Sequence, residues 1–215
     1  MSAAQTERLQ QFGSLAFRFL VAIDVEGYSQ RHTAEQAKAQ DDLEHAMAEA
    51  AADVGLDRKH WYRQPRGDGE LAVLPEGANG LSLVAAYPCA LASAIAAVNH
   101  AGNGNLRLRV RMAIHHGAVA PGQFGPVGAA PVVVSRLVDA ETVRQLLRQH
   151  SDLDIALVVS GTVYNEIIQS RLHDLDPAAF RRTVIRTKGI TYIGYLYQDI
   201  FVPLGHTVSA MSKSL

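Results

Sequence analysis

Cysteine is all but missing from this chain, and so is any excess of charge of one sign. A single Cys89 among 215 residues rules out an intramolecular disulfide and fits a reducing compartment. Lysine is scarce, with Lys38, Lys59, Lys188 and Lys213 the only ones, so arginine carries most of the positive charge. A formal net charge of -1 leaves no broad basic field for nucleic acid and no acidic tail. No apolar run reaches the roughly 18 to 20 residues of a membrane span. The opening stretch MSAAQTERLQQ lacks a signal-peptide profile, and internal repeats and low-complexity tracts are missing too. Together these absences predict a soluble, cytoplasmic protein with no membrane partner and no nucleic-acid partner.

What is there suits one domain. A hydrophobic content of 48% is enough for one full core, and the length is too short for two comfortable ones. The expected division is a polar lead-in over residues 1–16, a domain over 17–200 and a polar tail over 201–215. Residues 17–24 form a nearly continuous apolar run, the pattern of a central strand covered on both faces. Thr33 followed by Gln36 has the form of a capping box, and Leu43, Ala46, Met47, Ala50, Ala51 and Val54 recur at helical spacing up to Gly55. Residues 61–64 and 70–74 flank Gly67-Asp68-Gly69 as a β-hairpin. Leu91, Ile95 and Val98 mark a second helix, its first turn set by Pro88.

Strict alternation over residues 106–114 predicts a strand with Leu106, Leu108, Val110, Met112 and Ile114 on a core face. Arg107, Arg109 and Arg111 fall on the other face, which is expected to meet solvent, a partner or an anion. A Gly- and Pro-rich loop over 117–128, a helix over 131–149, a short buried strand over 155–159, a helix over 161–172 and a hairpin around Gly189 complete the order. It is an α/β (α+β) pattern, a ferredoxin-like split βαβ sheet with an appended αβαββ lobe.

Two carboxylates stand out because each follows an apolar run at a glycine-bounded turn. In a split βαβ sheet Asp24, at a strand end, and Asp68, in the hairpin turn, share one rim. Carboxylates on adjacent strands beside the amides of a glycine turn make a hard oxygen site suited to Mg²⁺ and a polyphosphate. Taken singly, each also reads as ordinary turn or helix-capping chemistry. The histidines His115 and His116 are neighbours on a strand, so they face opposite ways and are expected to be structural or solvent-facing. Glu26 and Glu70 are close enough to add negative charge, although alternation turns Glu70 away.

Four segments in order resemble the class III nucleotide cyclase homology domain over about residues 17–197. They are the strand leading to Asp24-x-x-Gly27-Tyr28-Ser29, the Gly67-Asp68 hairpin, the strand RVRMAIHHG, and Ser135-Arg136-Leu137 in a helix after a Gly-rich loop. The resemblance implies Mg²⁺ or Mn²⁺ on Asp24 and Asp68 with the Val25 carbonyl, and Gly27, Tyr28 and Ser29 cradling the β- and γ-phosphates. It implies that Arg136 meets charge developing at the α-phosphate. It also implies a nucleoside triphosphate substrate and a head-to-tail homodimer, with metals from one chain and the arginine from the other. A lysine that reaches a terminal phosphate in some relatives would fall near Lys188.

The chain departs from that family where base and sugar are read. Gln64 replaces the purine-reading lysine, Gly125 stands at the partner acidic or cysteine position, and Val132 replaces the ribose-orienting asparagine. A valine cannot hydrogen-bond a ribose oxygen. Three functions follow: a cyclase with altered base preference, akin to the pyrimidine cyclases of antiphage signalling; a nucleotide-binding module without turnover; or a dimerising scaffold. No sensor domain is visible, so control is expected from a protein regulator or from the termini.

Overall fold

A computed structural model describes residues 15–102, 107–187 and 189–199. Leu106, Lys188, the tail over 201–215 and all but the last two residues of the lead-in lie outside the described residues. Strands β1 (Ala16–Val25), β2 (Tyr62–Arg66), β3 (Gly69–Val73), β4 (Val110–Gly122), β5 (Gly125–Val127), β6 (Ile155–Ser160), β7 (Phe180–Thr187) and β8 (Ile190–Tyr197) form one mixed sheet of eight strands. Their order is β2-β3-β1-β4-β6-β8-β7, with β5 folded onto β4. The first four obey the split βαβ order, and β6, parallel to β4, begins the appended lobe.

The apolar run in β1 is explained by its place. It pairs antiparallel with β3 on one side and β4 on the other, and both of its faces are covered. Val21, Ile23 and Val25 pack under helices α1 (Thr33–Asp53) and α2 (Tyr87–Ala101). Leu20 and Ala22 pack under helices α3 (Ala129–Val138) and α4 (Glu141–Gln149). Burying each leucine, isoleucine or valine of this kind contributes roughly 1.5–3 kcal/mol, so the core fixes the second half of β1 firmly.

Several expectations shift. The capping contact of α1 forms one residue early, the His32 N–H donating to Glu35 Oε2 at 2.8 Å, because Thr33 is already helical. A π-helical turn, Ser82–Ala86, leads into α2. Together Ser82–Ala101 makes a 20-residue helix apolar enough by composition to cross a membrane, longer than any run expected, with half of it buried inside the fold. The loop expected over 117–128 is mostly the β4–β5 hairpin, since the strand runs on to Gly122 and pairs back with Gly125–Val127. The helix expected over 131–149 is two, broken at Asp139–Ala140, where Ala140 takes an extended conformation and caps α4. The helix expected over 161–172 is a short α5 (Gly161–Glu166) followed by a 3-10 turn.

The arginine row also differs from expectation. Arg107 bonds Asp154 at 2.6 Å, Arg109 bonds Glu26 at 2.8 Å and the end of α4, and Arg111 is buried against Asp24. Helices α3 and α4 cover that face, so the charges are met within the chain. Glu70 turns away from Asp24, as alternation predicts, and is buried at 4% exposure between Arg58 (2.7 Å) and Arg63 (2.8 Å). Glu44 joins both guanidiniums, and Arg58 also lies 5.3 Å over the Trp61 ring.

Candidate functional site

Asp24 sits at the end of β1, paired in register with Gly69 of β3 and Arg111 of β4. The contact with β3 is close enough to dictate the residue there. A Cβ on Gly69 would lie 1.9 Å from the Ile23 carbonyl oxygen and 2.8 Å from Asp24 Cα. One residue back, the Asp68 carbonyl accepts the Val25 N–H at 2.8 Å, which fixes the hairpin turn against the end of β1. Thus Asp24, Val25 and Asp68 meet at one rim.

The electrostatics there are short of positive charge. The Asp24 carboxyl is raised to about 7, chiefly by burial and also by the Asp68 carboxylate, against the pull of Arg111. The Arg111 Nε–Asp24 Oδ1 bond is 2.7 Å. No cluster of three or more His, Cys, Asp or Glu suited to a metal occurs among the described residues. A hard divalent cation at this rim would have to draw on the Asp24 and Asp68 carboxylates and the Val25 carbonyl, with further oxygens from a ligand. Such a cation would fit, because it would offset first the burial and then the Asp68 charge that raise Asp24.

The Gly27–Ser29 turn adjoins this rim. Gly27 takes φ +66°, which lets the chain leave β1 and enter the 3-10 turn Tyr28–Gln30. Gln40 of α1 ties the two turns together, its amide nitrogen 2.7 Å from the Tyr28 hydroxyl and 2.6 Å from the Gly67 carbonyl. Beyond Gly27 and Ser29 opens a cavity of about 650 Å³ that Glu26, Arg31, Arg107, Arg111, Arg144 and Arg148 also line. Of the five arginines there, Arg107, Arg111, Arg144 and Arg148 pair with Asp154, Asp24, Asp139 and Glu141, and Arg111 Nη1 is buried without a hydrogen-bond partner among the described residues.

The positions read as base, ribose and α-phosphate contacts gather on the other side of the hairpin. Gln64 Nε2 donates to the Phe124 carbonyl at 3.1 Å, and a Cβ on Gly125 would fall 2.9 Å from Gln64 Oε1. The two altered base-reading positions are therefore in contact within one chain. Val132 is 47% exposed on α3. Arg136, one turn on, is half-buried and has no ion pair or hydrogen bond among the described residues. The contacts of Arg111, Gln40 and Arg66 were not foreseen from the sequence. Only the first left a trace, as a member of the arginine row.

His115 and His116 diverge as alternation predicts. His116 stacks near Phe19, with ring centroids 4.5 Å apart, and reaches Glu166 at 3.3 Å. His115 is buried at 8% exposure with Nδ1 unpartnered, and burial pushes its pKa down to about 4.

No family model matches the sequence, and no curated protein matches it. Solved structures do. The guanylyl cyclase Cya2 superposes with a TM-score of 0.61 at 16% identity, over 90% of this chain and 97% of that one. An adenylate/guanylate cyclase/hydrolase from Silicibacter pomeroyi gives 0.58 at 18% identity, over 86% and 98%. The guanylate cyclase domain of RhGC from Catenaria anguillulae, in complex with GTP, gives 0.53 at 16%, over 84% and 95%. The chain has the fold of the class III nucleotide cyclase homology domain.

Proposed function

We propose that this chain is a divergent class III nucleotidyl cyclase that converts a nucleoside triphosphate to its 3′,5′-cyclic monophosphate and pyrophosphate. The observation that carries the reading is the arginine-lined cavity opening from Gly27 and Ser29 beside the Asp24–Asp68 rim. A hard cation suits the two carboxylates, and a polyphosphate suits a cavity lined by Arg31, whose guanidinium meets no carboxylate among the described residues, and by four arginines that each pair with one. Asp24, Asp68 and the Val25 carbonyl would hold Mg²⁺ or Mn²⁺. When bound, such an ion acts as a Lewis acid that makes a hydroxyl easier to deprotonate and neutralises phosphate charge.

The protein's own residues then position and stabilise. The Gly27–Tyr28–Ser29 turn and Arg111 bind the β- and γ-phosphates. Arg136 donates to the α-phosphate oxygens, where negative charge builds as the 3′-oxygen bonds to phosphorus and the bond to the departing pyrophosphate breaks. The 3′-hydroxyl proton leaves to solvent. In a head-to-tail homodimer the cation comes with one protomer and Arg136 with its partner. The loss of the purine-reading pair at Gln64 and Gly125 favours a pyrimidine triphosphate, which fits a role in cytoplasmic antiphage signalling under the control of a protein regulator.

The test is incubation of the protein with each of four triphosphates and Mn²⁺, with product read by mass spectrometry. Asp24→Ala and Arg136→Ala are each expected to be inactive alone, and their mixture to regain up to about a quarter of wild-type activity through mixed dimers. No cyclic product above the Asp24→Ala background would remove the cyclase. A second reading, a nucleotide-binding module without turnover, is favoured by Val132 alone. Its signature is nucleotide binding that requires Asp68 and yields no product.

A further inference from the structure

We infer that Arg66 is a substrate-positioning residue, its guanidinium supplying from β2 the hydrogen-bond donors that Val132 cannot supply on the Arg136 face of α3. The inference rests on the nucleotide reading above, and it adds a residue that no part of that reading uses. Alternation along β2 puts Gln64 and Arg66 on one face, and both reach the same neighbourhood. Gln64 meets the Phe124 carbonyl, and Arg66 Nη2 meets Ser135 Oγ at 3.1 Å.

That second bond defines what Arg66 is free to do. Ser135 gives its hydroxyl proton to the Pro131 carbonyl at 2.7 Å, so it accepts from Arg66 and carries no charge to offset it. A guanidinium has five donors, and this contact uses one. Neither Arg66 nor Arg136 pairs with a carboxylate among the described residues, whereas Arg58, Arg63, Arg107, Arg109 and Arg111 all do. Helical spacing puts Val132, Ser135 and Arg136 on one stripe of α3. Two uncompensated guanidiniums thus converge on a stripe whose other exposed member is apolar. The ligand chemistry that fits is a nucleotide with its ribose oxygens at Arg66 and its α-phosphate oxygens at Arg136. The exposed position of Arg66 leaves it able to swing from Ser135 onto a ligand oxygen at little cost.

The experiment titrates the full-length protein, with Mn²⁺ present, with four 3′-deoxynucleoside triphosphates, which lack the attacking hydroxyl and cannot turn over. Inorganic tripolyphosphate is titrated in parallel. Arg66→Ala is expected to weaken binding of the preferred deoxynucleotide about tenfold or more and to leave tripolyphosphate affinity within about twofold. Arg66→Lys, with the charge but not the fork, should fall between. Adding Val132→Asn to Arg66→Ala should recover most of the loss, which a merely structural role for Arg66 would not allow. Wild-type affinity in Arg66→Ala, or an equal loss for tripolyphosphate, overturns the inference alone. If the wild-type protein binds tripolyphosphate but none of the four deoxynucleotides, the nucleotide reading and this inference fall together.

Discussion

Replacing Gly69 by alanine tests whether the hairpin's approach to β1 is as tight as the geometry states. The added Cβ would meet Ile23 O at 1.9 Å and Asp24 Cα at 2.8 Å, both backbone atoms of a buried strand that cannot rotate away. A carbon needs about 3.3 Å from a carbonyl oxygen, so β3 must retreat by more than about 1 Å. That retreat breaks the Val25–Asp68 backbone hydrogen bond, now 2.8 Å, and loosens the Asp24–Gly69 pair. At about 1 kcal/mol for each hydrogen bond and about 1–3 kcal/mol for residual overpacking, the cost comes to about 3–5 kcal/mol. Gly67, two residues away, is the control. A Cβ there meets nothing within 4 Å, so Gly67→Ala should change stability by less than about 1 kcal/mol. Guanidinium denaturation followed by circular dichroism reads both as shifts in midpoint at constant slope. A Gly69→Ala cost below about 1 kcal/mol, or one equal to that of Gly67→Ala, refutes the close approach and with it the placement of Asp68 against β1.

Two further perturbations probe buried charge. Arg58→Met leaves Glu70, 4% exposed, with Arg63 as its one remaining cation, and should cost about 3 kcal/mol; Arg58→Met with Glu70→Leu should regain at least half, as denaturation midpoints will show. His115, neutral and pushed down to about 4 by burial, supports the fold fully above its unfolded value of 6.5, and that support is lost as pH falls from 6.5 toward 4. Asp24, raised to about 7, works in the opposite sense over much of that window, so the informative quantity is a difference between proteins. In metal-free buffer, wild type should lose about 2 kcal/mol more than His115→Leu between pH 7 and pH 5. Equal pH profiles for the two would show that His115 titrates normally.

The order of strands and the hairpin that holds Asp68 were legible because period-two patterns and glycine turns are local signals. Asp24 and Asp68 could be placed on one rim for the same reason, since a split βαβ sheet leaves few places for its second hairpin. What the letters hid were contacts made across the sheet. Arg111 looks solvent-facing when residues 106–114 are read alone, because nothing local says that α3 and α4 will cover that face. The break at Asp139–Ala140 was hidden in the same way. Alanine is a strong helix former, and its extended conformation there follows from where α4 must begin to cover Ala156 and Val158 of β6. Arg66 and Gln40 act through single long-range hydrogen bonds, to Ser135 and to Gly67 and Tyr28, and no spacing rule announces such pairs.

Because β1 is hydrogen-bonded along both sides, its amides should be among the slowest in the molecule to exchange with deuterium. The carboxylate at its end is therefore anchored to the least yielding part of the architecture. Gln64 instead lies on the short β2, where a change of side chain need not disturb the backbone contact that holds Asp68 against β1. Under the proposed cyclase reading, base preference can change at Gln64 while Asp24 and Asp68 keep their places.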